Sequence, residues 1–117
     1  MASASMQCER ALEPGRVKCS VETRTLGGLT LAWADVQLVE LPEFTAALKG
    51  RLAPSDSTLR ESTTQRWAFG LVARRPGQGE AHARVRLLAC AADGVDAGAP
   101  RCTPLMLDVT ATVHVGS

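Results

Sequence analysis

Apolar and polar side chains alternate one by one over residues 105–115, near the end of the chain. Leu, Val and Ala occupy the odd positions of this segment, whereas Met, Asp, Thr and His occupy the even ones. A period of two is typical of a β-strand with one buried face, because successive side chains point to opposite sides of a sheet. Similar alternation covers residues 16–24, 67–73 and 82–90. No segment has the 3.6-residue period of an amphipathic helix, so the pattern predicts strands and turns.

Glycine and proline predict how these strands are connected. Gly27-Gly28 predicts one turn, and residues 75–79 predict another that joins 67–73 to 82–90 as a hairpin. Within residues 29–40 the apolar phase shifts by one position, which predicts a β-bulge at Ala34-Asp35.

The remaining segments have weaker patterns. Residues 43–52 fit either a short helix or an edge strand, and a strand is favoured. The Ser-, Thr- and Arg-rich residues 53–66 predict a polar loop or an exposed edge, and residues 91–104 predict a loop.

Taken together, these elements predict an all-β fold, an antiparallel immunoglobulin-like β-sandwich of about seven strands. The 117 residues suffice for one domain, residues 1–117. Aromatic residues make up only 3% of the chain, so the core is expected to be thin. Residues 1–7 are expected to be flexible or a remnant of cloning.

Four cysteines form two groups that are close in sequence: Cys8 with Cys19, and Cys90 with Cys102. Four cysteines allow three disulfide connectivities, and local pairing is favoured. Each local bond closes a short loop and is expected to stabilise the fold by about 3 kcal/mol in the chain-entropy picture.

Cysteine usage also indicates an oxidising compartment, so we predict a periplasmic or secreted protein. The first six residues lack the basic start and apolar centre of a secretory signal, and a leader is expected to precede them. No apolar run is long enough to span a membrane. The formal charge of +1 gives no general attraction to nucleic acid.

Motifs for catalysis and for cofactors are missing from the sequence. The chain has no Cys-x-x-Cys knuckle, so no metal site is predicted, and His82 and His114 are interpreted as solvent-facing strand residues. No glycine-rich phosphate loop and no nucleophile motif occurs. We therefore predict no cofactor and favour a protein that is not an enzyme.

Basic residues form the most distinctive polar feature. His82, Arg84 and Arg86 share one face of a predicted strand, and Arg74 and Arg75 precede it. One interpretation is a binding surface for an anionic partner, such as an acidic protein surface or a polysaccharide. The other is a solvated strand face whose charges prevent aggregation through the sheet edge.

The second cysteine pair lies in a pattern that resembles a known family. Cys90 ends a strand that contains Val85 and Leu87, whereas Cys102 precedes Pro104 and a final strand at residues 109–115. This arrangement, over the last third of the chain, resembles the immunoglobulin-like N-terminal domain of the periplasmic thiol:disulfide interchange reductases. The resemblance implies that Cys90 and Cys102 cycle between dithiol and disulfide.

Two hypotheses for function follow. The favoured one is a non-catalytic envelope or secreted β-sandwich module that acts by protein–protein contact and is stabilised by disulfides. The alternative is a periplasmic thiol-disulfide exchange domain that uses Cys90 and Cys102.

Overall fold

A computed structural model describes residues 1–91 and 101–116 of the chain. In these residues the fold consists of strands and one short 3₁₀ turn, Pro54–Asp56. The strands are β1 (Ala2–Cys8), β2 (Gly15–Thr25), β3 (Leu29–Glu40), β4 (Thr45–Ala47), β5 (Arg51–Leu52), β6 (Leu59–Arg60), β7 (Thr64–Ala73), β8 (Gly77–Ala91) and β9 (Arg101–Val115). Six of these are long, and three have only two or three residues.

The strands form two antiparallel sheets. The first sheet has the order β1–β2–β7–β4, and β6 also pairs with β7. The second sheet has the order β5–β3–β8–β9. The chain is an all-β, immunoglobulin-like sandwich, so the predicted fold class is confirmed. It is elongated, with extents of 58 × 20 × 18 Å.

The core lies between the inner faces of the two sheets. Trp67 and Leu71 of β7 have no exposed surface, and neither do Val85 of β8 and Val113 of β9. These residues belong to the alternating segments, so the period of two identified the buried faces correctly. The only polar atom of the Trp67 ring is satisfied, because its Nε1 donates a hydrogen bond to the carbonyl oxygen of Ala53 at 3.0 Å.

The predicted hairpin between residues 67–73 and 82–90 is wrong. β7 belongs to the first sheet and β8 to the second, so residues 74–76 carry the chain across the sandwich. β8 already begins at Gly77, where a Cβ atom would lie 2.8 Å from the Phe44 ring. This glycine therefore permits close packing between strand and ring and does not form a turn. The partner of β8 in the long hairpin is β9.

The predicted bulge in β3 is also misplaced. Leu31 is paired with Ala89 and Trp33 with Leu88, so the extra residue is Ala32 and not Ala34-Asp35. A second irregularity lies between Leu38 and Glu40. Because the shift occurs at Ala32, Trp33 lies on the outer face of the sheet with Asp35.

Three weaker predictions had different outcomes. Residues 43–52 contain two short strands, β4 in the first sheet and β5 in the second, as the preference for strand indicated. The sequence predicts a flexible segment over residues 1–7, whereas Ala2–Cys8 is paired with β2 along its whole length, because Ala4 and Met6 bury one face of it. Of the predicted loop over residues 91–104, residue 91 lies in β8 and residues 101–104 lie in β9, whereas residues 92–100 are outside the described residues.

Candidate contact surface on the second sheet

The outer face of the second sheet is built from side chains that the strand register places in rows. Even-numbered residues of β8 point away from the core, and those from His82 to Cys90 have a partner on both β3 and β9. Three successive rows are Trp33–Leu88–Pro104, Asp35–Arg86–Met106 and Gln37–Arg84–Asp108.

Asp35 is the centre of an ion-pair cluster on this face. Its carboxylate is fully covered, although the two arginines that cover it are half exposed. Arg86 donates from Nε to Oδ1 at 2.9 Å and from Nη2 to Oδ2, and Arg51 donates from Nε to Oδ2 at 2.8 Å. Burial alone would raise the pKa of Asp35, but the hydrogen bonds and charges of Arg86 and Arg51 outweigh it and lower the pKa below its usual value. Asp35 therefore stays ionised and fixes both guanidinium groups.

A second, more exposed cluster surrounds Asp108 of β9. Arg84 Nε donates to Asp108 Oδ1 at 3.1 Å, and His82 Nε2 lies 3.3 Å from the same oxygen. The hydrogen bond from Arg84 is the main cause that lowers the pKa of the Asp108 carboxyl. The basic residues of β8 are thus balanced by acids from neighbouring strands.

Arg74 and Arg75 lie apart from the β8 residues. Both contact Glu43, since Arg75 pairs with its carboxylate and Arg74 donates to its carbonyl oxygen. Arg74 and Arg75 precede the start of β8 at Gly77, and Arg84 lies seven positions further along that strand, about 23 Å at the rise of an extended strand. The structure therefore divides the predicted set of five into two separate groups. Whether either group binds a partner stays a prediction.

An apolar surface that the sequence analysis did not find lies beside Arg86. It consists of Trp33, Leu88, Pro104 and Met106, and we call it the Trp33 patch. Met106 is 60% exposed. The Arg86 guanidinium lies 5.7 Å from the centroid of the Trp33 ring, within range of a cation–π contact. A shallow groove of about 320 Å³ is lined by the patch together with Arg86, Leu87 and Leu105.

The Trp33 patch was not predicted because the bulge was expected at Ala34-Asp35, after Trp33, and this position leaves Trp33 in phase with Leu29 and Leu31. One signal was available. Trp33 and Asp35 have the same parity, and an ionisable side chain in phase with a tryptophan indicates an outer face.

The two disulfides differ in which face of the sheet they occupy. The bonds join Cys8 to Cys19 and Cys90 to Cys102, which are the local pairs, and each joins residues directly opposite on neighbouring strands. Cys8 and Cys19 contact the core. Cys90 and Cys102 continue the rows of the outer face beyond Pro104, with Cys90 buried and Cys102 exposed. The second bond is thus the more accessible to a partner.

Over the described ranges, no helix has the length and apolar character needed to cross a membrane. Two disulfides in a chain of this size favour an extracytoplasmic location.

Comparisons with known proteins place few limits on function. No family model matches the chain, and no curated protein matches it. A crystal structure of BslA, a bacterial hydrophobin, is 14% identical with a TM-score of 0.41, covering 99% of this chain and 95% of that one. A structure from work on fibronectin binding and biofilm formation by the AAF fimbriae of enteroaggregative Escherichia coli is 13% identical, with a TM-score of 0.40. The match covers 98% of this chain and 99% of that one. The PapD-like domain 7 of human CEP192 is 9% identical with a TM-score of 0.43, covering 99% and 87%. At these scores the similarities carry no conclusion about function.

Proposed function

We propose that this protein is a non-catalytic envelope or secreted β-sandwich module that binds another protein through the Trp33 patch. The observation that carries the proposal is the position of Trp33. Of the two tryptophans in the chain, Trp67 is buried in the core and Trp33 is on the outer face beside a fixed arginine.

The composition of the surface supports this assignment. Tryptophan, methionine and arginine are enriched at protein interfaces, and tryptophan and arginine are among the commonest residues that dominate binding energy. Arg86 is held in place by Asp35 before any partner arrives, so less conformational entropy is lost when the complex forms.

Charge and shape indicate what the partner presents. Because Arg86 is already paired with Asp35 and the other residues that line the groove are apolar, the patch offers mainly apolar contact. A groove of about 320 Å³ is at the lower limit of small-molecule sites. We therefore expect a protein partner that inserts one large apolar side chain beside Trp33.

Site-specific photo-crosslinking tests the proposal. A photoreactive amino acid at Met106 should give one dominant crosslinked protein in an envelope or secreted fraction, and Met106→Asp should prevent formation of that complex. The matched control is Thr112, which is exposed on the same face of the same strand. A probe at position 112, or the change Thr112→Asp, should have no such effect. Equal crosslinking at both positions, or at neither, would exclude the Trp33 patch.

A second candidate function is thiol-disulfide exchange at Cys90–Cys102, which the exposure of Cys102 favours. An incoming thiolate attacks the Cys102 sulfur, so that a mixed disulfide forms and the Cys90 thiolate leaves. A second thiol of the same partner then releases Cys102, and the partner retains the new disulfide. The reduction potential of this pair should lie above about −300 mV, the upper limit for structural disulfides. A reduction potential below that limit would refute thiol-disulfide exchange and show that the Cys90–Cys102 bond is only structural.

A further inference from the structure

The outer face of the first sheet has small side chains along its centre. Ser20 of β2 lies opposite Ala68 of β7, and Lys18 lies opposite Gly70 on the next row. On the other side, Gln7 of β1 is paired with Ser20. Small side chains in the middle of a sheet, flanked by long ones, leave a depression along the strands.

This depression is continuous over three hollows of about 480, 390 and 390 Å³. The largest shares Gln7 and Ser20 with one neighbour and Lys18 and Ala68 with the other. We call the whole depression the Ser20 trough. It extends from Arg16 to Glu22 along β2, about 20 Å at the rise of an extended strand.

The walls of the trough carry positive charge that the fold does not balance. Over residues 1–91 and 101–116, Arg16 and Lys18 form no ion pair, in contrast to Arg84 and Arg86 on the opposite sheet. The Arg16 guanidinium lies across Gly70, since a Cβ there would be 3.4 Å from its Nη2 atom.

Acidic groups are fewer at this surface. Glu22 is shared by Arg66 at 2.6 Å and Arg24 at 3.1 Å, so its charge is already paired. Glu9 lines the largest hollow opposite Lys18, to whose carbonyl oxygen its backbone N–H donates a hydrogen bond. The bases at and beside the trough (Arg16, Lys18, Arg24, Arg66) outnumber these two acids. Arg16 and Lys18 therefore have no ion-pair partner among the described residues, whereas Arg84 and Arg86 of β8 each have one.

We propose that the Ser20 trough binds an extended acidic segment of a protein. Carboxylates on alternate residues of such a segment reach Arg16 and Lys18, and the Ser20 hydroxyl and the Gln7 amide can form hydrogen bonds with its backbone. The length of about 20 Å accommodates about six extended residues. Nucleic acid fits less well, because among the described residues that line the trough only Phe69 is aromatic, and it packs against the core and offers no platform for stacked bases.

This inference does not depend on the function proposed for the Trp33 patch. The two surfaces belong to different sheets, whose inner faces pack about 10 Å apart, so both can be occupied at once. Loss of binding at one surface should leave the other unchanged.

Fluorescence anisotropy with a labelled hexaglutamate peptide tests the proposal. At low salt the peptide should bind, and Arg16→Gln combined with Lys18→Gln should weaken binding by about fivefold or more, since each exposed pair contributes modestly. The control Arg60→Gln with Arg101→Gln removes the same charge from exposed positions elsewhere and should change the affinity by less than about twofold. Equal weakening by both double variants would overturn the proposal, because it would indicate only a general charge effect.

A second variant tests the shape without changing the charge. Ala68→Leu fills the floor of the trough at an exposed position and should also reduce peptide binding, whereas Thr112→Leu on the second sheet should not. Circular dichroism spectra and melting curves establish that each variant is folded. An unchanged affinity for Ala68→Leu would refute binding in the trough. A six-nucleotide single-stranded DNA that bound more tightly than the peptide would refute the acidic-peptide partner.

Discussion

Arg86 binds the buried carboxylate of Asp35 through two hydrogen bonds, although the two residues are 51 positions apart in the chain. Strand register places them directly opposite each other on β8 and β3. The pair links the centre of the second sheet to the Trp33 patch, because the same guanidinium contacts the Trp33 ring.

Replacement of Asp35 should destabilise the protein more than replacement of an exposed acid. Asp35→Asn leaves two arginines without their counter-ion and should cost about 1–3 kcal/mol of unfolding free energy, less than a fully buried pair because both arginines are half exposed. Asp108→Asn is the matched control, since Asp108 is 57% exposed whereas Asp35 is fully covered, and should cost much less. Urea denaturation of both variants measures the difference. Equal losses would contradict the assigned role of Asp35.

Acidification should reduce this contribution. The pKa of Asp35 is lower in the folded state than in the unfolded chain, so the stabilisation is complete above the unfolded value of about 3.9 and is lost as pH falls through the folded pKa. The difference in unfolding free energy between the wild type and Asp35→Asn should therefore be constant above about pH 5 and shrink below about pH 4. Denaturation at a series of pH values tests this. If the difference in unfolding free energy between the wild type and Asp35→Asn grew on acidification, the ion pair of Asp35 would not be its source.

Gly77 should not tolerate a side chain. A Cβ atom at this position would lie 2.8 Å from the Phe44 ring, which is itself buried in the core. Gly77→Ala should cost about 1–3 kcal/mol, as overpacked core substitutions do. Gly50→Ala is the control, because a methyl group at that position would have no atom within 4 Å and the φ angle of Gly50 is not positive. Thermal unfolding of the two variants should differ clearly, and similar melting temperatures would show that the Phe44 ring can move aside.

The two disulfides should differ in reactivity towards a dilute thiol. Cys90–Cys102 lies on the outer face with Cys102 exposed, whereas Cys8–Cys19 contacts the core. Reduction of the native protein followed by alkylation and peptide mass spectrometry should label Cys90 and Cys102 first. Cys8 and Cys19 should react only when the sandwich opens. Simultaneous labelling of all four would mean that both bonds depend on global unfolding.

Local sequence pattern determined which residues face the core. The alternation in β2, β7 and β9 identified their buried faces, because side-chain direction along a strand depends only on parity. The cysteine spacing likewise favoured the two local bonds that the structure contains. These features depend on residues that are near each other in the chain.

Tertiary structure decided the rest, because pairing and register join distant segments. Whether β8 pairs with β7 or with β9 depends on how the chain crosses between sheets, and a single extra residue at Ala32 moved Trp33 to the outer face. The ion pairs of Arg84 and Arg86 could not be predicted for the same reason, because their partners, Asp108 and Asp35, lie on β9 and β3. A strand's own sequence determines its polar face, but only its neighbours determine whether the charges on that face are free.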